Sequence, residues 1–223
     1  MGRRNAGAQR QLVRALLAQK TYPELLNLNI GDPEDWFPWF VASSLFAKPI
    51  SAAAARTTAL LLFKEEVASP EAIERCGWDG LVTLLDLGGY VRYDFSTATK
   101  LLAIAAALRG ERLRGILTNA GSAADVEREL TRIKGVGPKT VAIFLRELRG
   151  AGGPPIPVSD EARAAAKRLR LNLKEMHAKG RELSRLESVL VRTWVEHCKR
   201  GRWQTCPAGT ICGCAPANPT DPP

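Results

Sequence analysis

Apolar residues recur at helical spacing along almost the whole chain, and the period-two alternation of a half-buried strand is hard to find. That spacing predicts helices over about 10–20, 34–47, 51–66, 70–76, 79–87, 97–109, 123–133, 139–149, 160–170 and 181–198. Many short helices joined by short turns make an all-α fold rather than a long bundle. The breaks carry their own chemistry. "GDPED" supplies Asp32 as a cap followed by a proline, Ser69-Pro70 repeats the device, and "GSAAD" opens the helix at 123. "GAGGPPIPVS" (150–159) is the strongest linker, because its glycines and prolines forbid regular structure. The tail "APANPTDPP" (215–223) is predicted to be disordered.

A chain of 223 residues with 45% hydrophobic content is long enough to bury a core, as one domain or two. Its net charge of +9 points to a polyanionic partner. Basic residues crowd between Arg163 and Arg202, which is either a phosphate-facing surface or a solvated helix face that charge alone does not distinguish. The opening "MGRRNAGAQRQLVRALLAQK" reads as a basic amphipathic helix, and no later segment stays apolar long enough to cross a bilayer. The expectation is a soluble, cytoplasmic protein.

The segment "LTRIKGVGPKTVAIFLREL" (130–148) sets Gly135-Val136-Gly137-Pro138 between two helical patterns. Backbone N–H groups at such a helix start make an anion site, and glycine lets a phosphate approach the main chain with no Cβ in the way. Pro138 suits a first-turn position because it has no N–H to leave unsatisfied. In a basic chain the expected anion is a nucleic-acid phosphate, contacted without reading sequence.

These residues resemble the helix-hairpin-helix of the endonuclease III-type DNA glycosylases, of the HhH-GPD superfamily. Leu130, Gly135, Val136, Gly137, Lys139 and Thr140 carry the likeness, which extends at varying strength over about 30–214. It implies DNA contact by Lys134, Gly135, Val136, Gly137 and Thr140. Lys139 holds the position of the nucleophile of bifunctional members, where a neutral amine attacks C1′ of a flipped nucleotide and forms a Schiff base. The alternative role for Lys139 is a phosphate-binding lysine at a helix start. Relatives also carry an aspartate after the Gly/Pro loop. Asp160 is the candidate, but one alignment of "PVSDEARAAAKRLRL" puts Ser159 in that slot and leaves Asp160 as a first-turn acid, with Glu161 a third choice. Lys48, in "SLFAKPIS", lies nearest the place of a gap-filling glutamine. "LGGYVRYDFSTATK" resembles the wedge loop but is longer, and its Tyr90, Tyr93 and Phe95 are either base-stacking or core aromatics.

Four of the five cysteines, Cys198, Cys206, Cys212 and Cys214, fall near the C-terminus, and clustered cysteines favour a metal site. The family likeness implies a [4Fe–4S] cluster, yet the spacing C-x7-C-x5-C-x-C departs from the family pattern and Trp203 stands where a ligand is usual. Zinc and no metal at all stay open. Cys76 reads as a small core residue.

The resemblance implies two helical subdomains with a DNA cleft between them. The layout expected is an N-terminal helix (1–32), a central helical subdomain (33–145), a C-terminal helical subdomain (146–214) and the tail. The implied function is base-excision repair by a monomeric, nucleoid-associated DNA glycosylase with abasic-site lyase activity on double-stranded DNA bearing damaged bases or abasic sites. The alternatives are a non-catalytic DNA-binding protein and a monofunctional glycosylase for alkylated or mismatched bases.

Overall fold

The computed structural model describes residues 6–173 and 179–212. Among them the chain is all-helical, its one β-type contact being an isolated bridge between Arg149 and Gly153. The α-helices in chain order are α1 Ala6–Leu17, α2 Tyr22–Leu25, α3 Trp36–Phe46, α4 Ala52–Lys64, α5 Pro70–Leu87, α6 Asp94–Ala107, α7 Arg112–Asn119, α8 Ala123–Leu130, α9 Pro138–Leu148, α10 Asp160–Arg168, α11 Gly180–Glu196 and α12 Gly209–Cys212. The helix starts follow local chemistry. Ser51, Ser69, Ser122 and Ser159 each accept an N–H from three residues on, satisfying a donor the helix itself leaves unpaired. Asp32 caps the short 3-10 turn Pro33–Asp35 by accepting the Glu34 N–H, two residues on.

Two differences from the periodicity have clear causes. Helix α7 was not among the predicted helices, since Gly115 interrupts it and Gly110 and Gly121 bracket it. Helix α5 joins the segments expected at 70–76 and 79–87, but Gly77 sits between them at φ 70°, ψ 176°, outside helical geometry. The break is real and glycine is what allows it.

The chain divides into two units, Pro23–Ile156 and the segments on either side of it; the expected central subdomain began at 33 and ended at 145. In the Pro23–Ile156 unit, α3 is buried on nearly all sides, through Trp36, Trp39, Phe40, Val41, Ala42 and Leu45. A helix apolar all round belongs at the centre of a core. Trp39 is fully buried and donates its indole N–H to the Phe144 carbonyl of α9 at 3.2 Å. Phe40 meets the Phe144 ring edge-on at 5.0 Å. The central helix thereby holds α9, the helix that follows the glycine turn. Gly152 in the Gly/Pro loop has φ +108°, and a Cβ there would lie 2.7 Å from the Trp36 ring, so the loop closes over α3 only as glycine.

In the other unit, Leu12 and Leu16 of α1 share a core with Ala162, Ala165 and Ala166 of α10 and with Leu186, Val189 and Leu190 of α11. The small face of α10 is what lets that helix pack closely. Basic residues here are partly structural. Arg185 donates to the carbonyls of Leu17 and Gln19, and Arg192 to that of Lys20, so both arginines satisfy carbonyls at and just beyond the end of α1. Arg163 pairs with Asp160 at 2.5 Å. The phosphate-facing surface expected between Arg163 and Arg202 is reduced by these three. Among the described residues no helix is long and apolar enough to cross a membrane.

Candidate nucleic-acid interface

Helix α8 ends at Leu130, and the chain turns through seven residues before α9 begins at Pro138. Leu130, Ile133 and Val136 are buried and anchor the turn from beneath. Gly135 crosses its apex at φ +83°, a region closed to most side chains. Gly137 is the N-cap of α9, extended at φ −114°, ψ 171°, with no side chain capping it, and Pro138 follows at the first helical position. The Val136 N–H is taken by Ile133 O at 3.0 Å and the Thr140 N–H by Gly137 O at 2.9 Å. Among the described residues, the N–H groups of Gly135, Gly137 and Lys139 have no hydrogen-bond partner. Three donors in one turn at the positive end of a helix dipole form an anion-binding arrangement.

The candidate side chains fall into two groups. Lys134, within the turn just before Gly135, and Lys139, in the first turn of α9, are exposed, whereas Val136 and Thr140 are buried. The last two therefore hold the turn's shape from below, and direct contact of their side chains with DNA is not available. Lys139 lies exposed on the first turn of α9.

At the start of α10, Ser159 is the N-cap and accepts the Ala162 N–H at 3.4 Å. Asp160 is the next residue, its side chain 92% exposed and paired with Arg163. This is the arrangement in which Asp160 acts as a first-turn acid. Glu161 follows it at the edge of the same turn. The buried carboxylate of this region is one that the sequence reading missed: Glu187 of α11, 1% exposed, accepts the Ser159 backbone N–H at 2.8 Å. Its signal was its place at core spacing with Leu186 and Leu190 on α11. Replacing Glu187 with alanine orphans the Ser159 N–H. The expected loss is about 2–3 kcal/mol of stability in urea denaturation, with a smaller loss for Glu187→Gln, whose amide oxygen still accepts. Equal losses for the two variants would refute the role of the bond.

The loop before α6 separates its aromatics. Tyr90 is 1% exposed and its hydroxyl donates to the Leu45 carbonyl near the end of α3. Burial, and then the neighbouring Tyr93, push that hydroxyl's pKa well above the ordinary phenol range. Tyr90 is thus a core residue, and stacking on a base is closed to it. Tyr93 is half-buried, with Lys48 over its ring at 5.4 Å and Arg92 at 5.6 Å. Lys48 and Tyr93 are therefore brought together. Phe95 is 60% exposed and lies 5.2 Å from the Trp78 ring, so the exposed aromatic pair is Phe95 with Trp78, which the sequence reading did not single out.

A lysine that the sequence reading also passed over lies under the turn. Lys100 of α6 is 4% exposed, and its Nζ donates to the Ser44 carbonyl of α3 at 2.6 Å. Burial first, and the positive charge of Lys48 second, pull its pKa from 10.5 down to about 7.

Cys198 opens a 3-10 turn after α11 and is half-buried, as is Cys206; Cys212 lies in the core of its unit with its thiol on the Gly209 carbonyl at 3.4 Å. Cys214 lies outside the described residues. Among the described residues no three Cys, His, Asp or Glu side chains come together in a way that holds a metal ion. Compared with known proteins, the chain matches no protein-family model and no curated protein, so the likeness to endonuclease III-type glycosylases rests on the residues themselves.

Proposed function

We propose that this protein binds damaged or abasic double-stranded DNA at the glycine turn and acts there as a base-excision glycosylase with abasic-site lyase activity. The observation that carries the reading is the set of unpaired N–H groups of Gly135, Gly137 and Lys139, flanked by the exposed amines of Lys134 and Lys139. A phosphate oxygen accepts those N–H bonds, and the lysines neutralise its charge. On this reading Lys139 attacks C1′ of the extruded nucleotide, displaces the base and forms an imine with the opened sugar, after which β-elimination cleaves the strand. Asp160 is assigned the acid role by the family likeness alone.

The second reading is DNA binding without base excision. It is favoured by the 92% exposure of the Asp160 side chain and its pairing with Arg163, which leave that carboxylate in solvent and engaged on its own helix. One experiment separates the two. Purified protein is mixed with duplexes bearing an abasic site or an oxidised pyrimidine, borohydride is added, and the covalent protein–DNA band is read by electrophoresis. The lyase reading expects a band that Lys139→Ala abolishes and Asp160→Asn diminishes. Tight binding with no band favours the second reading, and no binding rejects both.

A further inference from the structure

Helix α3 ends with two of its last carbonyls turned toward side chains from elsewhere in the sequence. The Lys48 N–H, which would close the next helical bond onto Ser44 O, goes instead to Leu45 O at 3.2 Å. Tyr90 O–H adds a second bond to Leu45 O, and the Ser44 carbonyl receives Lys100 Nζ. A cation at a helix C-terminus is favourable, yet an amine 4% exposed loses most of its hydration to reach it.

The stem of the same side chain meets the glycine turn. A Cβ built on Gly135 would lie 3.0 Å from Lys100 Cγ and 3.2 Å from both its Cβ and its Cδ. The methylenes of Lys100 therefore form the floor under the one residue of the turn with a left-handed backbone. Head and stem touch the two segments that bear candidate DNA contacts: α3, followed by Lys48, and the turn with its unpaired N–H groups. Tyr90 caps the same end of α3 but is not among the atoms nearest Gly135.

We propose that Lys100 is a positioning residue for the glycine turn, locking the Gly135 backbone to the C-terminal end of α3 so that the unpaired N–H groups are held ready for an anion. Its consequence for DNA rests on the function proposed above, but its effect on the turn does not.

Amide hydrogen exchange of the full chain without DNA tests the lock directly, in the wild type, Lys100→Met and Tyr90→Phe. Methionine keeps the stem but loses the donor. The expected result is exchange at least about tenfold faster at Val136 and its neighbours in Lys100→Met, a fold-change equal to about 1.4 kcal/mol of local opening. Tyr90→Phe, which removes the other donor to α3, is expected to leave the turn at its wild-type rate. With exchange read at pH 6–7, where removing the buried amine is expected to make Lys100→Met the more stable protein, global unfolding does not account for faster exchange confined to the turn. Should Lys100→Met fail to fold, Lys100→Gln, with a shorter stem, is read in its place with the same expectation. Unchanged exchange at the turn, or equal acceleration by Tyr90→Phe, overturns the proposal.

Affinity for a duplex carrying a stable abasic analogue is then measured on the same proteins. A loss of about tenfold in Lys100→Met supports the link to DNA. If the wild type itself does not bind while the exchange pattern holds, the DNA reading falls and the positioning role stands. If the wild type binds and Lys100→Met binds equally well, the turn is not held ready for its ligand by Lys100 and the proposal is overturned.

Discussion

Between pH 7 and pH 10 the wild-type protein is expected to gain stability relative to Lys100→Met, and the two curves are expected to cross. The lysine amine titrates at about 7 when folded and at 10.5 when unfolded. Below pH 7 both states carry the proton, and the folded state bears the full cost of a buried ammonium. Between the two values the unfolded chain holds the proton and the folded chain does not, so raising the pH favours folding; above 10.5 neither holds it and the cost is gone. At about 1.4 kcal/mol per pH unit, the cost is on the order of 4–5 kcal/mol below pH 7 and is mostly recovered by pH 10. Methionine has no such term, but it leaves the Ser44 carbonyl without its donor, a fixed penalty of about 1–3 kcal/mol. Lys100→Met is therefore expected to be the more stable protein at pH 6–7 and the less stable at pH 10. Urea titrations of both proteins across this range measure the difference. Parallel curves would mean that Lys100 titrates normally and that its burial is far less complete.

The same residue marks where sequence reading stops. Lys100 falls on α6 at core spacing with Thr97, Leu101 and Ile104, all buried. Its spacing puts it on the inner face of α6, but a lysine there is ordinarily taken for a surface residue whose stem lies along the core. Only the geometry shows that the whole side chain is enclosed and that its head meets a carbonyl 56 residues away in sequence. Tyr90 and Phe95 make a similar point. Both are aromatics in one short stretch, and nothing local distinguishes the ring buried under α3 from the ring left in solvent. Features set by the local backbone were easier to read. The serine caps, the break at Gly77 and the glycine turn are each fixed by a few adjacent residues. Ser159 and Asp160 lie between these cases. The sequence offered both for one slot, and the cap geometry assigned Ser159 to the N-cap and Asp160 to the exposed first turn.

Truncation of Trp39 is expected to be the most damaging single change in the Pro23–Ile156 unit. Its side chain is fully buried on a helix that is itself almost wholly buried, so there is little mobile surface to collapse into the space it leaves. Tryptophan to alanine in such a site costs about 3–5 kcal/mol through lost transfer energy and the residual cavity. The lost bond to the Phe144 carbonyl adds about 1 kcal/mol. Trp39→Phe separates the two contributions, since it keeps most of the packing and loses the indole donor; about 1–2 kcal/mol is expected for it. Domains are commonly stable by only about 5–15 kcal/mol, so Trp39→Ala removes a large part of the total. The damage has a direction as well as a size. Trp39 holds α3 to α9, and α9 carries Lys139 and the N-terminus to which the glycine turn leads. Far-ultraviolet circular dichroism in urea measures the loss without relying on the fluorescence of the residue removed. A loss under about 1.5 kcal/mol for Trp39→Ala would mean that α3 is not the centre of the core.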